Sequence, residues 1–449
     1  MTATMPPPGS GAGTEDTSLV VEHDDRTRTI IALAAWVTLL LVGRVWGLAV
    51  VRDAPEPLYV DAVPFYGVWR AEITLRLALA VLVVGVVTVV LPRMADRLGW
   101  RSLLGAVAVG SVAVSLALAF VEPPADAWRN IHGDYGQYTH LVDEQGIGGF
   151  LRDYTTEQRD YPTHLSAHPP GMVLLLWTEG KLGLGNTVGE IATAMAGVAA
   201  AAVAALVALR ELAGEERARR AAAFLVIAPA AVWHTNADVV FGGIALAGLA
   251  LLTVATGHSA SRATLPALGG GVLLGIAMLF SHGLVLMAVP ALAVVVHRRG
   301  WREGALAVIG ALAALAVPLL WGYSWLAGLD STKVAYDRNL ARVRPYGYFL
   351  LGNLAAFAVA VGPAVAVALA RLRDRATWAL VGGGLAAVVL ADVSGLSLAE
   401  TERIWQPFMP LVLLAGGAVV VGRAAHARSW LALQAVTTVA LVAFLRSPW

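Results

Sequence analysis

The sequence of 449 residues contains no cysteine. Without a thiol, the chain can form no disulfide, hold no cysteine-ligated zinc or iron–sulfur cluster, and use no thiol nucleophile. Charged residues are also scarce, at 14%, whereas 58% of the residues are hydrophobic. Because a soluble domain carries about a quarter charged residues, this composition predicts a protein of the lipid bilayer.

Charge of either sign is not in excess, since the formal net charge is +1. A nucleic-acid-binding domain is usually strongly basic, so we expect no nucleic-acid partner. The acidic residues form no cluster of several ligands in the sequence. A divalent metal is possible, but the sequence gives no support for it. We therefore expect no metal site and no cofactor.

Apolar stretches fill most of the chain after residue 28. About 20 apolar residues are needed to cross the hydrocarbon core, and stretches near this length predict an all-α polytopic membrane protein with about thirteen transmembrane helices. We place them at 29–51, 72–92, 102–122, 187–209, 219–235, 238–256, 264–281, 283–297, 303–327, 346–370, 376–396, 405–422 and 429–446. Residues 1–28 are predicted to be a disordered cytoplasmic tail, and residues 29–449 a single transmembrane domain.

The topology depends on the segment Pro169–Leu182. It is apolar but short and carries Glu179 and Lys181, so it fits an interfacial or re-entrant helix better than a span. If it does not cross, most arginine clusters fall on the side of the N-terminus, which the positive-inside rule makes cytoplasmic. These arginines are Arg93, Arg97, Arg101, Arg210, Arg217, Arg219, Arg220, Arg262, Arg298, Arg299, Arg302, Arg371, Arg373, Arg375, Arg423 and Arg428.

The longest polar stretch is the loop 123–186, which this topology places outside the cell membrane. Loops of this length are usually functional or disordered, and its aromatic residues favour a functional loop with juxtamembrane helices. It contains Asp134, followed by Gln137 and Tyr138, at the start of a short helical pattern. Taken alone, Asp134 fits a solvated loop acid or a helix N-cap better than a catalytic base.

The same loop ends in a Pro-Pro element. His164 and then His168-Pro169-Pro170 precede the short apolar helix, and the two prolines fix the backbone where that helix starts. His168 is thereby placed near a helix N-terminus, which suits an anionic group. A purely structural Pro-Pro helix start explains the pattern equally well.

Later polar residues also fall at predicted outer helix ends. Asn236 and Asp238 join two helices, and His282 lies at another turn. Polar groups at membrane depth must be solvated or line a cavity, although turns between spans need polar residues in any case. The last such segment carries Glu400, Glu402, Arg403 and Trp405, where an arginine can bind a phosphate or simply pair with a neighbouring acid.

The order of these features resembles the GT-C class of membrane glycosyltransferases, notably protein O-mannosyltransferases and lipid A aminoarabinose transferases. The matching elements are Asp134 with Tyr138, then His168-Pro169-Pro170, and finally Arg403-Ile404-Trp405 leading to Pro410. The similarity covers roughly residues 134–410 and rests on short motifs. Three departures are that Tyr135 follows Asp134 where the family has a second acid, that a histidine precedes Pro-Pro, and that two additional helices precede the loop.

The resemblance implies a GT-C-like fold and an inverting transfer of a sugar from a polyprenyl-phosphate donor to an acceptor hydroxyl, on a glycan, lipid or protein, at the extracytoplasmic membrane face. Asp134 would be the catalytic base, and Arg403, His168 and His282 would bind the donor phosphate. The implied substrate-binding residues are Tyr138, Gln137, His164, Asn236, Asp238, Glu400, Glu402 and Trp405. Cell-envelope synthesis with mannose or arabinofuranose is expected by association with an arginine-rich, actinobacterial-type sequence.

Three alternatives stay open at this point. The earlier outer loop, with Asp53, Glu56 and Asp61, could supply the acid in place of Asp134. A transporter or flippase of a lipid-linked substrate would show repeats or broken helices near the midplane. A ligase or polymerase of lipid-linked glycans would accept a pyrophosphate-linked donor, and the sequence does not separate one phosphate from two.

Overall fold

The structure, a computed structural model, describes residues 13–123, 129–338 and 342–447. These residues are mainly helical, with one antiparallel pair of two-residue strands, β1 (Val68–Trp69) and β2 (Leu445–Arg446). The α-helices are α1 (Gly13–Asp53), α2 (Leu75–Arg97), α3 (Trp100–Ala119), α4 (Arg129–Asp134), α5 (His140–Glu157), α6 (Thr163–Ala167), α7 (Gly171–Lys181), α8 (Thr187–Ala213), α9 (Glu215–Val226), α10 (Asp238–Ala255), α11 (Ala260–Met278), α12 (Ala288–Arg298), α13 (Trp301–Ala316), α14 (Trp325–Arg338), α15 (Tyr346–Val361), α16 (Pro363–Arg371), α17 (Arg375–Val393), α18 (Thr401–Ile404), α19 (Met409–Leu413) and α20 (Arg428–Phe444).

Short 3₁₀ segments connect or extend several of these helices. They are Gly136–Tyr138, Gln158–Asp160, Pro229–Trp233, His282–Met287, Val317–Trp321, Leu414–Val419 and Ala424–Ala427. Because a 3₁₀ helix has poorer hydrogen-bond geometry than an α-helix, it rarely continues for long and often marks the end of a regular segment.

The described residues contain nine helices that are long and apolar enough to cross a membrane. Each coincides with one of the predicted stretches, which confirms those nine as helical segments of membrane-spanning length. The count of thirteen is not confirmed. The nine are Asp25–Asp53, Leu75–Arg97, Trp100–Ala119, Thr187–Ala213, Asp238–Ala255, Ala260–Met278, Trp301–Trp321, Arg375–Val393 and Ala424–Phe444.

The remaining four predicted stretches are short or interrupted. The stretch 346–370 is split at Gly362, whose φ is +88°, into α15 and α16 at an angle of 93°. The stretches 283–297 and 405–422 form only the shorter apolar helices His282–Arg298 and Met409–Val419. The stretch 219–235 ends as α9 at Val226, before Pro229. Irregular backbone of this kind is tolerated at membrane depth only where protein or a cavity surrounds it.

The segment 169–182 forms the short helix α7 and is not among the helices of membrane-spanning length, as the sequence predicts. Its first residue, Gly171, donates its backbone N–H to the carbonyl of Leu279 at 3.0 Å. A Cβ at Gly171 would lie 2.4 Å from that oxygen, so glycine permits this close approach. The contact fixes the end of the long polar loop against the end of α11.

Arginines gather at one end of the bundle, which we call the arginine-rich end. Arg217 pairs with Asp374 at 3.2 Å, and Arg219 donates to the carbonyl of Ala95 at 2.6 Å. Arg28, at the start of the first span, donates to the carbonyl of Ala370 at 3.1 Å. The arginine clusters and the beginning of the first span thus share one end, as the predicted topology requires; its cytoplasmic location stays a prediction.

The opposite end, which we call the polar end, carries the long connections between helices. It includes α4 to α7, the turn between Pro229–Trp233 and α10, and the segment 394–408. Strand β2 pairs with β1, so the end of the last helix is tied to the first long connection. At this end α10 packs closely against the segment 394–408. A Cβ on Gly242 would lie 3.1 Å from the Cα of Pro407, so glycine permits the close approach.

The first helix begins at Gly13, so residues 13–28 are helical where the sequence predicts a disordered tail. The helix extends the first span toward the N-terminus, with Thr29 donating its hydroxyl to the carbonyl of Asp25 at 2.7 Å. Residues 1–12 of that predicted tail lie outside the described residues.

Candidate active site

Arg403 lies at the centre of a buried group of charges at the polar end. It is only 9% exposed. Its Nη1 is 3.0 Å from Oδ2 of Asp238, and its Nη2 is 2.6 Å from Oε2 of Glu400. Charge-assisted hydrogen bonds of this geometry are strong in a low dielectric, so they fix the guanidinium in place. The structure therefore brings together three of the candidate residues from two distant parts of the chain.

Asp238 is positioned by the turn that precedes α10. Asn236 accepts a hydrogen bond from the backbone N–H of Asp238 at 2.8 Å and donates its amide to the carbonyl of Trp233 at 2.7 Å. Both polar atoms of this buried side chain are thus occupied by the turn itself. Asn236, predicted to bind substrate, instead has its side chain engaged in holding Asp238 at the start of the helix.

Glu400 sits between two arginines. Besides Arg403, Arg344 approaches the Oε1 of Glu400 with its Nη1 at 3.4 Å. Arg344 is 7% exposed and also donates to the carbonyls of Leu58 at 3.2 Å and Leu398 at 2.6 Å. These contacts hold Arg344 rigidly beside the carboxylate. Sequence reasoning missed this residue, because only the fold brings the loop before α15 next to residue 400.

The backbone at Glu400 is strained. Ala399 and Glu400 have φ of +71° and +61°, in the left-handed region that non-glycine residues rarely adopt. Asn353 holds the segment, accepting from the N–H of Ala399 at 3.1 Å and donating to the carbonyl of Ser397 at 2.7 Å. Strain of this kind persists only where its surroundings over-determine it, and it is concentrated at functional sites.

Asp134 is the last residue of α4 and lies against α6. Its Oδ1 is 3.3 Å from Nε2 of His164, and the two side chains are 25% and 24% exposed. Burial raises the pKa of Asp134 to about 7, the positive charge of Arg403 lowers it, and the negative charges of Asp238 and Glu400 raise it. Burial lowers the pKa of His164 to about 3, so its ring is neutral at physiological pH. Asp134 is thereby poised near the pH at which a general base works best.

Tyr135 connects the Asp134 side of the site to α10. Its ring, 3% exposed, packs edge-on against His164 at 6.2 Å, His168 at 6.0 Å and Phe241 at 6.5 Å between centroids. The residue after Asp134, an acid in the family that the sequence resembles, is thus an aromatic residue packed in the site. Burial raises the pKa of Tyr135, as do the charges of Asp238 and Asp134, whereas the charge of Arg403 lowers it. Because Phe241 lies one helical turn from Asp238, the ion partner of Arg403, this aromatic contact brings Tyr135 and its neighbour Asp134 to the helix end where Arg403 is bound.

His168 follows α6 and precedes Pro169. Its Nδ1 is 3.2 Å from the carbonyl oxygen of Phe280, so that nitrogen is a donor. Burial lowers the pKa of His168, which leaves the ring neutral. A neutral ring with Nδ1–H already donated offers only the acceptor Nε2, which suits a hydroxyl better than a phosphate. His282, near His168, packs its ring against Trp325 at 5.0 Å, and neither of its ring nitrogens has a hydrogen-bond partner among the described residues.

Several predicted substrate-binding residues do not point to this group of charges. Gln137 is exposed and donates its amide to the carbonyl of Gly133 and to the Tyr138 hydroxyl, the latter at 3.2 Å. Glu402 is fully buried and accepts from the backbone N–H of Tyr66 at 3.2 Å. Trp405 is 1% exposed and packs edge-on against Phe357 at 5.9 Å. The structure thus places Trp405 in the packed core and engages Glu402 in a hydrogen bond with the earlier outer loop.

The acids of the earlier outer loop lie at the surface. Asp53 pairs with its neighbour Arg52 at 2.8 Å and is 66% exposed, and Glu56 and Asp61 are exposed. Tyr66 of this loop instead donates its backbone N–H to Glu402 at 3.2 Å, and burial, followed by the charge of Glu400, raises the pKa of its hydroxyl. Tyr66 stacks on Tyr59 at 6.3 Å. Among the acids that the sequence offered as the base, Asp53, Glu56 and Asp61 are exposed, whereas the Asp134 side chain is only 25% exposed.

No group of three or more histidine or acidic side chains that could hold a metal ion occurs among the residues that the structure describes. Asp238 and Glu400 are both paired with Arg403. The expectation that no cofactor is needed stays a prediction.

No protein-family model matches this sequence, and no curated protein matches it. Among solved structures, the chain is similar to ArnT from Cupriavidus metallidurans in the apo state, with 20% sequence identity and a TM-score of 0.48. The similarity covers 69% of this chain and 58% of the ArnT chain, so it spans less than two thirds of that protein. A likeness of this size does not establish a family.

Proposed function

We propose that this protein is an inverting membrane glycosyltransferase of GT-C type. It moves a sugar from a polyprenyl-phosphate donor to an acceptor hydroxyl. The observation that carries the proposal is an arrangement at one end of an apolar helical bundle. Asp134 pairs with His164 at 3.3 Å, and its neighbour Tyr135 packs on Phe241, one helical turn from Asp238, which pairs with the buried Arg403. Asp134, whose pKa burial raises to about 7, can take a proton, and Arg403 can stabilise a leaving phosphate.

The reaction is a single displacement. The oxygen of the acceptor hydroxyl forms a bond to the anomeric carbon, while the bond from that carbon to the phosphate oxygen breaks and its electron pair leaves with the phosphate. Asp134 removes the hydroxyl proton as the new bond forms. One displacement on the face opposite the leaving group inverts the anomeric carbon.

His164 supports Asp134 in this scheme. At 3.3 Å from the carboxylate, its Nε2–H donates to Asp134 once that group is ionised. Because burial lowers the pKa of His164 to about 3, the ring stays neutral and adds no positive charge that would weaken the base. The neutral partner orients the carboxylate and leaves the proton transfer to Asp134.

The lipid bilayer supplies the setting for such a reaction. A polyprenyl donor lies in the bilayer, and its phosphate lies near the helix ends where Arg403 is found. We infer a plasma-membrane location with the arginine-rich end and the N-terminus in the cytoplasm and the site outside, because positively charged loops are retained inside. A role in building cell-envelope glycans follows from that location; mannose and arabinofuranose are the sugars to test first.

The decisive experiment measures transfer of radiolabelled sugar from polyprenyl-phosphate donors into acceptors, using purified protein in vesicles. Asp134→Asn removes the base without changing the shape of the side chain, and we expect transfer to fall by about 10²–10⁴-fold. Asp143→Asn is the matched control. Asp143 lies in the same loop but is 52% exposed and pairs with Lys181 at 2.7 Å, so its variant should transfer like the wild type.

Equal transfer by Asp134→Asn and Asp143→Asn would reject Asp134 as the base. Movement of lipid-linked sugar across the vesicle membrane without consumption would favour a transporter instead. One observation bears on that alternative, because broken helices are typical of transporters and α15 and α16 meet at a 93° bend. At this break, however, Gln434 accepts from the N–H of Ala364 at 3.2 Å and donates to the carbonyl of Val361 at 2.9 Å, so a side chain already satisfies the free backbone groups.

A further inference from the structure

We propose that Glu400 is a built-in substitute for the donor phosphate: its carboxylate occupies an anion site formed by Arg344 and Arg403, and a lipid-linked phosphodiester with one negative charge displaces it. This inference rests on the proposed function and deepens it, since it adds Arg344 to the site and selects the class of donor.

The geometry is that of an anion site. Two guanidinium groups from different parts of the chain, 7% and 9% exposed, converge on a single carboxylate. Oε2 of Glu400 is 2.6 Å from Arg403, and Oε1 is 3.4 Å from Arg344. Planar, preorganised guanidinium groups bind phosphate oxygens as they bind carboxylate oxygens. The place held by Glu400 therefore presents the donors that a phosphate requires.

The backbone gives Glu400 a reason to leave. Ala399 and Glu400 both adopt left-handed conformations, with φ of +71° and +61°, and each such conformation costs free energy in a residue with a Cβ. Hydrogen bonds from Asn353 and the two ion pairs of Glu400 hold the segment in place. When a ligand replaces the carboxylate, the ion pairs no longer compensate for the strain, so release of Glu400 relaxes the backbone.

Charge balance selects the ligand. Arg344, Arg403, Asp238 and Glu400, counted with their ionised charges, sum to zero. A sugar phosphodiester of a polyprenol carries one negative charge, so exchanging it for the Glu400 carboxylate leaves the charge bound by the two arginines unchanged, whatever the ionisation of the neighbouring Asp134 and Glu402. A pyrophosphate-linked donor carries at least one further negative charge, which would be buried without a partner at considerable cost. The site thus favours monophosphate donors over pyrophosphate donors.

The same balance predicts how the product leaves. After transfer, the lipid phosphate is a monoester whose second pKa is about 6, so it carries between one and two negative charges at neutral pH. This extra charge disfavours the product in the buried site and favours the return of Glu400. In each cycle the donor diester thus displaces the Glu400 carboxylate, and after transfer the carboxylate displaces the product monoester.

The test is direct binding to full-length protein in lipid nanodiscs. The probes are the methyl ester of farnesyl phosphate, with one negative charge, the methyl ester of farnesyl diphosphate, and uncharged farnesol. In Glu400→Gln the internal competitor is gone, and we expect the farnesyl phosphate ester to bind about ten-fold more tightly, as removal of a competing closed state predicts. Farnesol should bind equally to both proteins, and the wild type should prefer the monophosphate ester over the diphosphate ester.

The matched control is Glu72→Gln. Glu72 pairs with Arg446 at 2.6 Å, as Glu400 pairs with Arg403, but that pair lies outside the site. Its variant should bind the farnesyl phosphate ester like the wild type. Adding Arg344→Gln to Glu400→Gln should abolish the gain in affinity. If Glu400→Gln does not fold, Glu400→Gly removes the carboxylate and accepts the left-handed conformation, and it should show the same gain.

An unchanged or weaker affinity of folded Glu400→Gln or Glu400→Gly for the farnesyl phosphate ester would overturn the inference. Preference of the wild type for the diphosphate ester would overturn its charge argument. The two proposals fail separately: a wild type that transfers sugar while Glu400→Gln gains no affinity leaves the glycosyltransferase standing. A gain in affinity in a protein that transfers no sugar leaves only the anion site.

Discussion

The two ends of the helical bundle use arginine–carboxylate pairs in opposite ways. At the arginine-rich end, Arg220 pairs with Glu216 one helical turn away, and the side chains are 27% and 77% exposed. At the polar end, Arg403 pairs with Asp238, 165 positions away, and the side chains are 10% and 6% exposed. Exposed pairs between helical neighbours add little to stability, whereas removing one member of a buried pair leaves an uncompensated charge.

This difference separates two tasks of charge in a membrane protein. At the arginine-rich end, the proposed orientation depends only on the number of positive charges and not on their exact partners, because positively charged loops are retained in the cytoplasm. The polar end needs a few charges out of water, where electrostatic interactions are strong and geometry is fixed. The candidate catalytic residues lie at the polar end, where close ion pairs offset the free energy needed to bury charges.

The largest expected effect tests whether the two ends face different compartments. Because the chain has no cysteine, a single introduced cysteine is a specific label. Leu182, 72% exposed beyond α7, lies at the polar end, and the exposed Ser259 lies between α10 and α11 at the other. In intact cells, a membrane-impermeant maleimide should label Leu182→Cys, and it should label Ser259→Cys only after permeabilisation. Labelling of both in intact cells would contradict the assigned orientation.

The second prediction compares the loss of stability when one carboxylate at each end is replaced by an amide of the same shape. Asp238→Asn leaves the buried Arg403 with one partner fewer, and we expect the free energy of unfolding to fall by about 3 kcal/mol. Glu216→Gln removes an exposed partner and should cost less than about 1 kcal/mol. Denaturant unfolding of both variants in detergent micelles measures the difference. Equal losses would mean that burial does not distinguish the two pairs.

The smallest expected effect concerns pH. Burial raises the pKa of Asp134 to about 7, so the ionised base becomes scarcer by about ten-fold for each pH unit below that value. Sugar transfer should rise by about that factor per unit and level off above about pH 7. At the arginine-rich end, the hydrogen bond with Arg219 lowers the pKa of Glu215, so this group stays ionised over the tested range. Glu215→Gln should therefore leave the pH profile of sugar transfer unchanged. A flat wild-type profile below about pH 7 would contradict the assignment of Asp134 as base.

The same shift affects stability in the opposite direction. The pKa of Asp134 is higher in the folded protein than its ordinary value of 3.8, so the folded state binds the proton more tightly. Its contribution to stability is complete below about pH 4 and is lost as the pH rises through about 7. As the pH rises toward about 7, sugar transfer should therefore increase while the free energy of unfolding decreases. Asp134→Asn should abolish the pH dependence of both quantities.

Part of the candidate site could be predicted from the sequence. Asp134, His164, Asp238, Glu400 and Arg403 stood out because polar residues between apolar helices are few, and the structure pairs Asp134 with His164 and Arg403 with Asp238 and Glu400, while their roles stay predictions. Sequence reasoning missed Arg344 and Tyr135, and it assigned Asn236 and Trp405 to substrate, although their side chains hold a turn and fill the core. Residue type and spacing do not reveal whether a polar or aromatic side chain faces a cavity or a neighbouring helix.

The sequence by itself determined the nine long apolar helices and the end of the bundle at which the arginines gather. Both are properties of single segments, since transfer into lipid depends on the composition of one stretch at a time. Tertiary structure alone decided that α15 and α16 bend apart and that Glu400 lies between Arg344 and Arg403. Those outcomes depend on which distant residues pack together, and burial then sets which charges are paired and which carboxyl group keeps its proton near neutral pH.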